Sequence, residues 1–200
     1  MEIKPRQLEI IEATGKILTE SGVNGLTIKK LANEMKFSES AIYRHFDSKE
    51  EILLTMLKYL NGNITQILKS LTATPDVETD FRTVFKRITT YFQENPYYVV
   101  VIFSEGLLDE SKKVRDAIMS LIYLMMNHMR SIIQRGQQSG KFIDSITADE
   151  LAQIVLATYK QQMFTWRFQN FEFNIKDSIE TIVSTLLDIL KNHSRKASQN

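Results

Sequence analysis

The chain has 200 residues, 43% hydrophobic and 24% charged, with 7 glycines and 3 prolines, a composition able to bury a core as one domain or as a small domain joined to a larger one. The absence of cysteine excludes disulfides, thiolate metal sites and cysteine nucleophiles. Lys+Arg 25 against Asp+Glu 24 leaves a net charge of +1, so any nucleic-acid surface must come from where the charges sit.

The start, Met1 to Ile11, is charged every few residues and lacks the apolar stretch of a secretion signal. The longest apolar runs, Tyr97 to Phe103 and Leu121 to Met126, are far shorter than the roughly 20 residues of a membrane span. A cytoplasmic chain with no membrane partner is expected.

From Gln7 to Leu18, apolar residues at helical spacing form a broad face that ends at Ser21-Gly22. Gly15 inside this helix costs about 1 kcal/mol relative to Ala, which suggests that another helix passes close to its backbone. Thr27 then caps a short helix carrying Ile28, Leu31, Ala32 and Met35, and Ser38 precedes a second, Glu39 to Phe46, across a tight turn at Lys36-Phe37. Ser48 opens a long helix through Leu71, with Glu51 at the capping-box position.

Asn61-Gly62-Asn63 puts three poor helix formers inside that helix, although the apolar periodicity continues in phase across them. A weak exposed turn and a flexing point between the parts of the chain on either side are both compatible with this. Further helices are expected at Val77–Gln93, Pro96–Leu108, Lys112–Gln138, Ala148–Asn170 and Ile175–Asn192. Propensity alone would allow a strand through Val99, Val100, Val101 and Ile102. Helix is preferred because Asn95-Pro96 suits a helix start and no second strand is available to pair.

The fold class expected is all-α, with about nine helices. Residues 1–47 would form a three-helix, helix-turn-helix domain, and residues 48–193 a second helical domain that begins with the connecting helix 48–71. In such a motif one short helix braces another, whose amino-terminal side chains reach base edges in the major groove. Between Thr27 and Lys49, five bases face three acids, for a net +2. A plain three-helix structural domain would show the same apolar spacing, so pattern alone leaves DNA binding open.

The residues themselves go further. The run Leu26-Thr27-Ile28-Lys29-Lys30-Leu31-Ala32, then Phe37-Ser38, Ala41-Ile42-Tyr43-Arg44-His45-Phe46 and Ser48-Lys49-Glu50-Glu51-Ile52-Leu53, closely resembles the amino-terminal signature of the tetracycline-repressor (TetR) family. Arg6, Ile10 and Gly22 also fall in its usual places, so the likeness covers residues 6 to 53. It implies a homodimeric, ligand-responsive transcriptional regulator bound to double-stranded operator DNA, with Thr27 and Lys49 on backbone phosphates. Ser38, Glu39, Ser40 and His45 would approach the groove, and Tyr43 would touch a phosphate or base.

Arg44 and Lys36 supply further cations along this edge. Lys36 stands where the family's turn usually has Gly, and is therefore expected to adopt a left-handed backbone at a cost of about 1 kcal/mol. Thr14, where Ala is common, and Gly15, where a larger residue is usual, are the other departures.

Beyond residue 53 the likeness is one of layout. Phe85, Phe92, Ile102, Ile122, Met125, Met129, Tyr159 and Trp166 read either as core or as the lining of a deformable apolar pocket, with Glu105 and His128 as its polar groups. The stripe Ile179, Ile182, Val183, Leu186, Leu187 and Leu190 would pack within the chain or form the dimer interface. The family's final two helices, which build a four-helix interface, favour the latter.

The ligand expected is small and lipophilic, a fatty acyl or aromatic compound, that shifts the dimer away from operator spacing. No metal or cofactor is expected. With three histidines, no cysteine and no nucleophile elbow or zinc motif, an enzyme finds no support. Gly136 to Lys141 fails as a phosphate loop, being one residue short and followed by Phe142. The rival reading is a helical carrier of lipophilic molecules, without specific DNA affinity.

Overall fold

A computed structural model describes residues 3–104 and 111–191 of the chain. Among the described residues there are nine helices: α1 Pro5–Ser21, α2 Ile28–Met35, α3 Glu39–Tyr43, α4 Lys49–Ser70, α5 Val77–Glu94, α6 Tyr97–Ile102, α7 Lys112–Gln138, α8 Ala148–Phe168 and α9 Ile175–Leu190. The all-α expectation is met, and the only strand-like pairing among the described residues is an isolated bridge between Phe142 and Lys191. None of these helices is long and apolar enough to cross a membrane.

Two compact units divide the chain, the first built from Met1–Thr65 with Phe92–Leu121 and the second from Gln66–Tyr91 with Ile122–Asn200. In the first unit the apolar face of α1 buries Ile10, Ile11, Ile17 and Leu18, joined in the core by Leu31, Ile42 and Phe46. The turn of Tyr97 in α6 explains Gly15. A Cβ added at Gly15 would stand 2.7 Å from Tyr97 Cδ1, so the close approach expected from sequence is present and α6 is the element that makes it.

Local chemistry sets the helix ends. Thr27 accepts from the Lys30 amide at 3.1 Å and Ser38 from the Ala41 amide at 3.2 Å, each satisfying an otherwise orphaned donor. At the start of α4 the Ser48 hydroxyl accepts from Glu51 N–H at 3.1 Å. Glu51's carboxylate reaches back to the Asp47 amide, one residue beyond the partner that a strict capping box would choose.

Several details differ from expectation. α3 stops at Tyr43, because Arg44 and His45 close the helix as a turn in which His45 N–H donates to Ile42 O at 2.9 Å. Through 61–63, α4 is unbroken, so the weak turn is absent. Asn61 Nδ2 donates to the Ala117 carbonyl at 3.1 Å, while Gly62 is exposed. α6 ends at Ile102, and residues 105–110 of the longer helix expected there lie outside the described residues. Pro96 rather than Asn95 is its N-cap; the Asn95 amide oxygen accepts from the Tyr97 hydroxyl at 2.8 Å.

In the second unit a buried aromatic line runs from Phe81 to Phe85 to Tyr159, with centroids 5.1 Å apart at each step. Phe142 is fully buried where α7 ends, over Gly136, whose missing side chain leaves room for the ring. The following loop is pinned by Gln137 Nε2, which donates to the carbonyls of Ile143 and Ile146 at 2.8 Å each. α8 begins with a full capping box between Thr147 and Glu150. Just past its end Asn170 and Phe171 both take positive φ, and the chain there wraps Trp166: its indole N–H donates to Phe173 O at 3.1 Å and its ring meets Phe171 edge-on.

Candidate nucleic-acid interface

The short α2–turn–α3 segment presents one polar edge. Thr27, Lys36, Ser38, Glu39, Ser40, Tyr43 and Arg44 are exposed, and His45 and Lys49 half-exposed. Leu31, Ala32, Ile42 and Phe46 are buried on the opposite side, so the segment is held rigidly against α1 while its donors face outward. Tyr43 is 49% exposed, far more than an aromatic ring with an internal packing role would be.

Lys36 sits at φ 55°, ψ 40°, in the left-handed conformation foreseen from sequence, and its amide donates to Asn33 O at 3.1 Å. Phe37 N–H donates to Ala32 O at 2.8 Å, completing the tight reversal between the two helices. Arg6 of α1 lies over the Phe37 ring, 5.2 Å from its centroid, and pairs with Glu9. Gln7 Nε2 donates to the His45 carbonyl at 3.3 Å. These contacts fix both ends of α3 to α1.

Ser38 and Ser40 bring their hydroxyl oxygens within 2.9 Å of each other at the start of α3. Lys16–Glu34 and Lys30–Ser21 tie α2 to α1, so Lys30 is engaged within the protein while Lys29 is exposed. Beside Lys49, Glu50 receives a hydrogen bond from Ser111, whose oxygen also accepts from the Val114 amide that begins α7. The geometry is that of a helix-turn-helix with a hydroxyl-rich, cation-flanked reading edge.

The residues expected to line a ligand pocket are distributed over both units. Phe92 and Ile102 belong to the first, and Phe85, Ile122, Met125, His128, Met129, Tyr159 and Trp166 to the second; Glu105 lies outside the described residues. Phe85, Phe92, Met125, Met129, Tyr159 and Trp166 are buried, whereas Ile122 is 41% exposed. His128 is half-buried, and desolvation together with the nearby Arg135 charge holds its pKa below the ordinary histidine value, against a smaller opposing effect of Asp80.

An open cleft of about 480 Å³ in the first unit is lined instead by Leu54, Lys58, Asn61, Lys113, Asp116, Ala117 and Ser120. Of these, only Asn61 was singled out from sequence, and then as a poor helix former rather than as a site residue. They carry no motif, and only the pairing of α4 with the start of α7 brings them together.

The α9 stripe is largely internal. Ile179, Val183, Leu186, Leu187 and Leu190 are buried within the chain itself, and only Ile182 is half-exposed; α9 packs on α8. The accessible apolar residues of these two helices are Ile154, Phe164, Phe168 and Ile189, with the Phe164 and Phe168 rings stacked at 6.2 Å.

Comparison with known proteins agrees with this architecture. Residues 10–56 match the family model of bacterial regulatory proteins of the tetR family, and residues 78–168 that of the tetracyclin repressor-like C-terminal domain. The nucleoid occlusion factor SlmA of Vibrio campbellii is 28% identical over 139 residues, 68% of this chain and 71% of that protein. The fatty acid metabolism regulator protein of Bacillus subtilis is 19% identical over 191 residues, 94% of this chain and 97% of its own. Among solved structures, the fatty acid degradation regulator FadR from Bacillus halodurans superposes with a TM-score of 0.80 at 18% identity, over 94% of this chain and 97% of that one. FadR from Bacillus subtilis in complex with stearoyl-CoA does so with 0.74 at 18% identity, covering 94% and 100%.

The fold and its exposed edge are those of a helix-turn-helix transcriptional regulator. With its amino-terminal signature and its carboxy-terminal region both matched, the chain belongs to the tetracycline-repressor family, whose members are ligand-responsive DNA-binding proteins.

Proposed function

We propose that the protein is a cytoplasmic repressor that binds a palindromic operator as a homodimer and releases it when a small lipophilic ligand enters the second helical domain. The observation that carries the DNA part is the exposure of Thr27, Lys36, Ser38, Ser40, Tyr43 and Arg44 on one edge above a buried apolar face. In this reading Thr27, Lys36 and Lys49 bind backbone phosphates, where charge neutralisation supplies salt-dependent affinity. Ser38, Glu39, Ser40, Tyr43, Arg44 and His45 face the groove.

The functional division falls at residues 47/48, with α4 as the connecting helix and Gly62 as its yielding point. The effector pocket draws on Phe85, Met125, His128, Met129, Tyr159 and Trp166. A fatty acyl compound is favoured by the likeness to the Bacillus subtilis regulator whose structure contains stearoyl-CoA. The dimer forms across α8 and α9, through Phe164, Phe168 and Ile189 together with Ile182. It sets two reading heads about 34–36 Å apart, one helical turn of DNA.

The Bacillus relatives that span nearly the whole chain are named as regulators rather than enzymes, and the exposed polar edge of the helix-turn-helix favours a DNA-binding protein over a carrier. Footprinting of the region upstream of the protein's own coding sequence tests the proposal. A protected palindrome that is lost on adding a long-chain acyl compound is the expected result. Equal affinity for random duplex at low salt would overturn it.

A further inference from the structure

The core of the second unit contains one polar contact that helix packing does not require. Thr89 on α5 and Tyr159 on α8 are 1% and 8% exposed, and their hydroxyl oxygens lie 3.2 Å apart. The Phe85 ring packs against Tyr159, with Phe81 behind it. A helical threonine commonly folds its hydroxyl onto the carbonyl one turn back. Thr65, Thr83, Thr158, Thr165 and Thr181 all do so, at 2.7 to 3.0 Å. Thr89 instead reaches across to the neighbouring helix.

Two hydroxyls bring two protons, and only one can lie between their oxygens. The second has no acceptor among the described residues, in surroundings where an unmatched donor is costly. Valine and phenylalanine would fill the same space without that cost. Burial pushes the Tyr159 phenol above its ordinary value, so it remains a donor across the physiological range. Among the described residues no basic side chain bonds to either hydroxyl, which disfavours a charged group at this point of contact.

We propose that the Thr89–Tyr159 pair recognises the effector by an uncharged carbonyl oxygen, that of a thioester, ester or ketone on an apolar body, donating to it the proton left over from their mutual hydrogen bond. This rests on the reading that the second unit receives a lipophilic effector, and it names the group by which that effector is selected.

Calorimetric titration of the full-length protein, without DNA, tests it with stearoyl-CoA as the carbonyl probe and stearate as the carboxylate control. Thr89→Val and Tyr159→Phe should each weaken stearoyl-CoA binding about threefold to tenfold. The double variant should be little worse than either, because the two groups act as one donor chain. Thr89→Ser, which keeps the hydroxyl, should bind as the wild type does, and the urea midpoint of Thr89→Val should be unchanged or raised.

Binding of stearoyl-CoA that is absent from the wild type, or equal in all variants, would overturn the proposal, as would a preference for stearate. Hydroxyl-dependent binding that leaves operator affinity untouched would uphold it while removing the repressor reading, so the two fail separately.

Discussion

The ring of Tyr97 lies directly on the backbone of Gly15, close enough that a methyl group on Gly15 would stand 2.7 Å from Cδ1. Gly15→Ala should gain about 1 kcal/mol of helix propensity and lose more than that to the clash, for a net destabilisation of about 1–3 kcal/mol. Shortening Tyr97 to Ala alongside it should recover part of the loss. A double-mutant cycle in urea unfolding measures the coupling, and additive losses would show that the ring moves aside freely.

Lys36 combines a left-handed backbone with an exposed ammonium. Lys36→Gly should leave stability equal or higher, since glycine relieves about 1 kcal/mol of strain. It should also weaken operator binding and lower the slope of log affinity against log salt by about 1. Fluorescence anisotropy across a salt series reads both quantities, and an unchanged slope would remove Lys36 from the phosphate contacts.

The side chains at the α8–α9 face separate packing from association. Phe168→Glu should yield monomers by light scattering and abolish high-affinity operator binding while the chain still folds, because Phe168 is 78% exposed. Ile179→Ala should instead cost about 2–5 kcal/mol of folding stability, because Ile179 is buried within its own chain. A dimeric Phe168→Glu protein would place the interface elsewhere.

Asp80 is almost fully buried and accepts from Thr74 N–H, the Thr74 hydroxyl and Arg135. Burial raises its pKa, but the bonds from Arg135 and Thr74 outweigh that and hold it below the usual carboxylate value. The stabilisation is therefore complete above the unfolded-state pKa and lost as pH falls through the lower folded-state value. Asp80→Asn should be less stable than the wild type by about 1–3 kcal/mol at neutral pH, with the gap narrowing in acid. Thermal melts at pH 7 and near pH 3 check this; a constant gap would mean that the charge on Asp80 contributes nothing.

Gly62 lies mid-helix with open space where a Cβ would go. Gly62→Ala should stabilise by about 0.5–1 kcal/mol and blunt ligand-induced release of operator DNA. Release at unchanged ligand concentration would leave Gly62 a solvated helical residue with no part in signalling.

Where local chemistry decides, the amino-acid sequence was readable. The start and end of α7 fall where apolar period and flanking breakers place them, Lys36 is left-handed because the turn requires it, and Gly15 marks a close neighbour without naming it. Val99 to Val101 show the limit of propensity: β-branched residues form helix here because they are buried without a strand to pair with.

Partnership was less readable. The α9 periodicity identifies an apolar face but is silent on whether α8 or a second chain covers it, and the burial of Leu187 and Leu190 shows α9 committed largely to its own chain. Ile122 fits the period of a buried stripe yet lies exposed. Thr89 drew no notice because a threonine in an apolar run has no distinguishing spacing; its significance comes only from a residue 70 positions away.

The single tryptophan of the chain is shut into the corner where α8 ends, with its indole nitrogen occupied by a backbone oxygen and Phe171 across its edge. That makes it a built-in optical gauge. Emission from this one fluorophore should be blue-shifted in the native protein and should track loosening of the α8 terminus, while the reading head, which has no such chromophore, stays dark to the measurement.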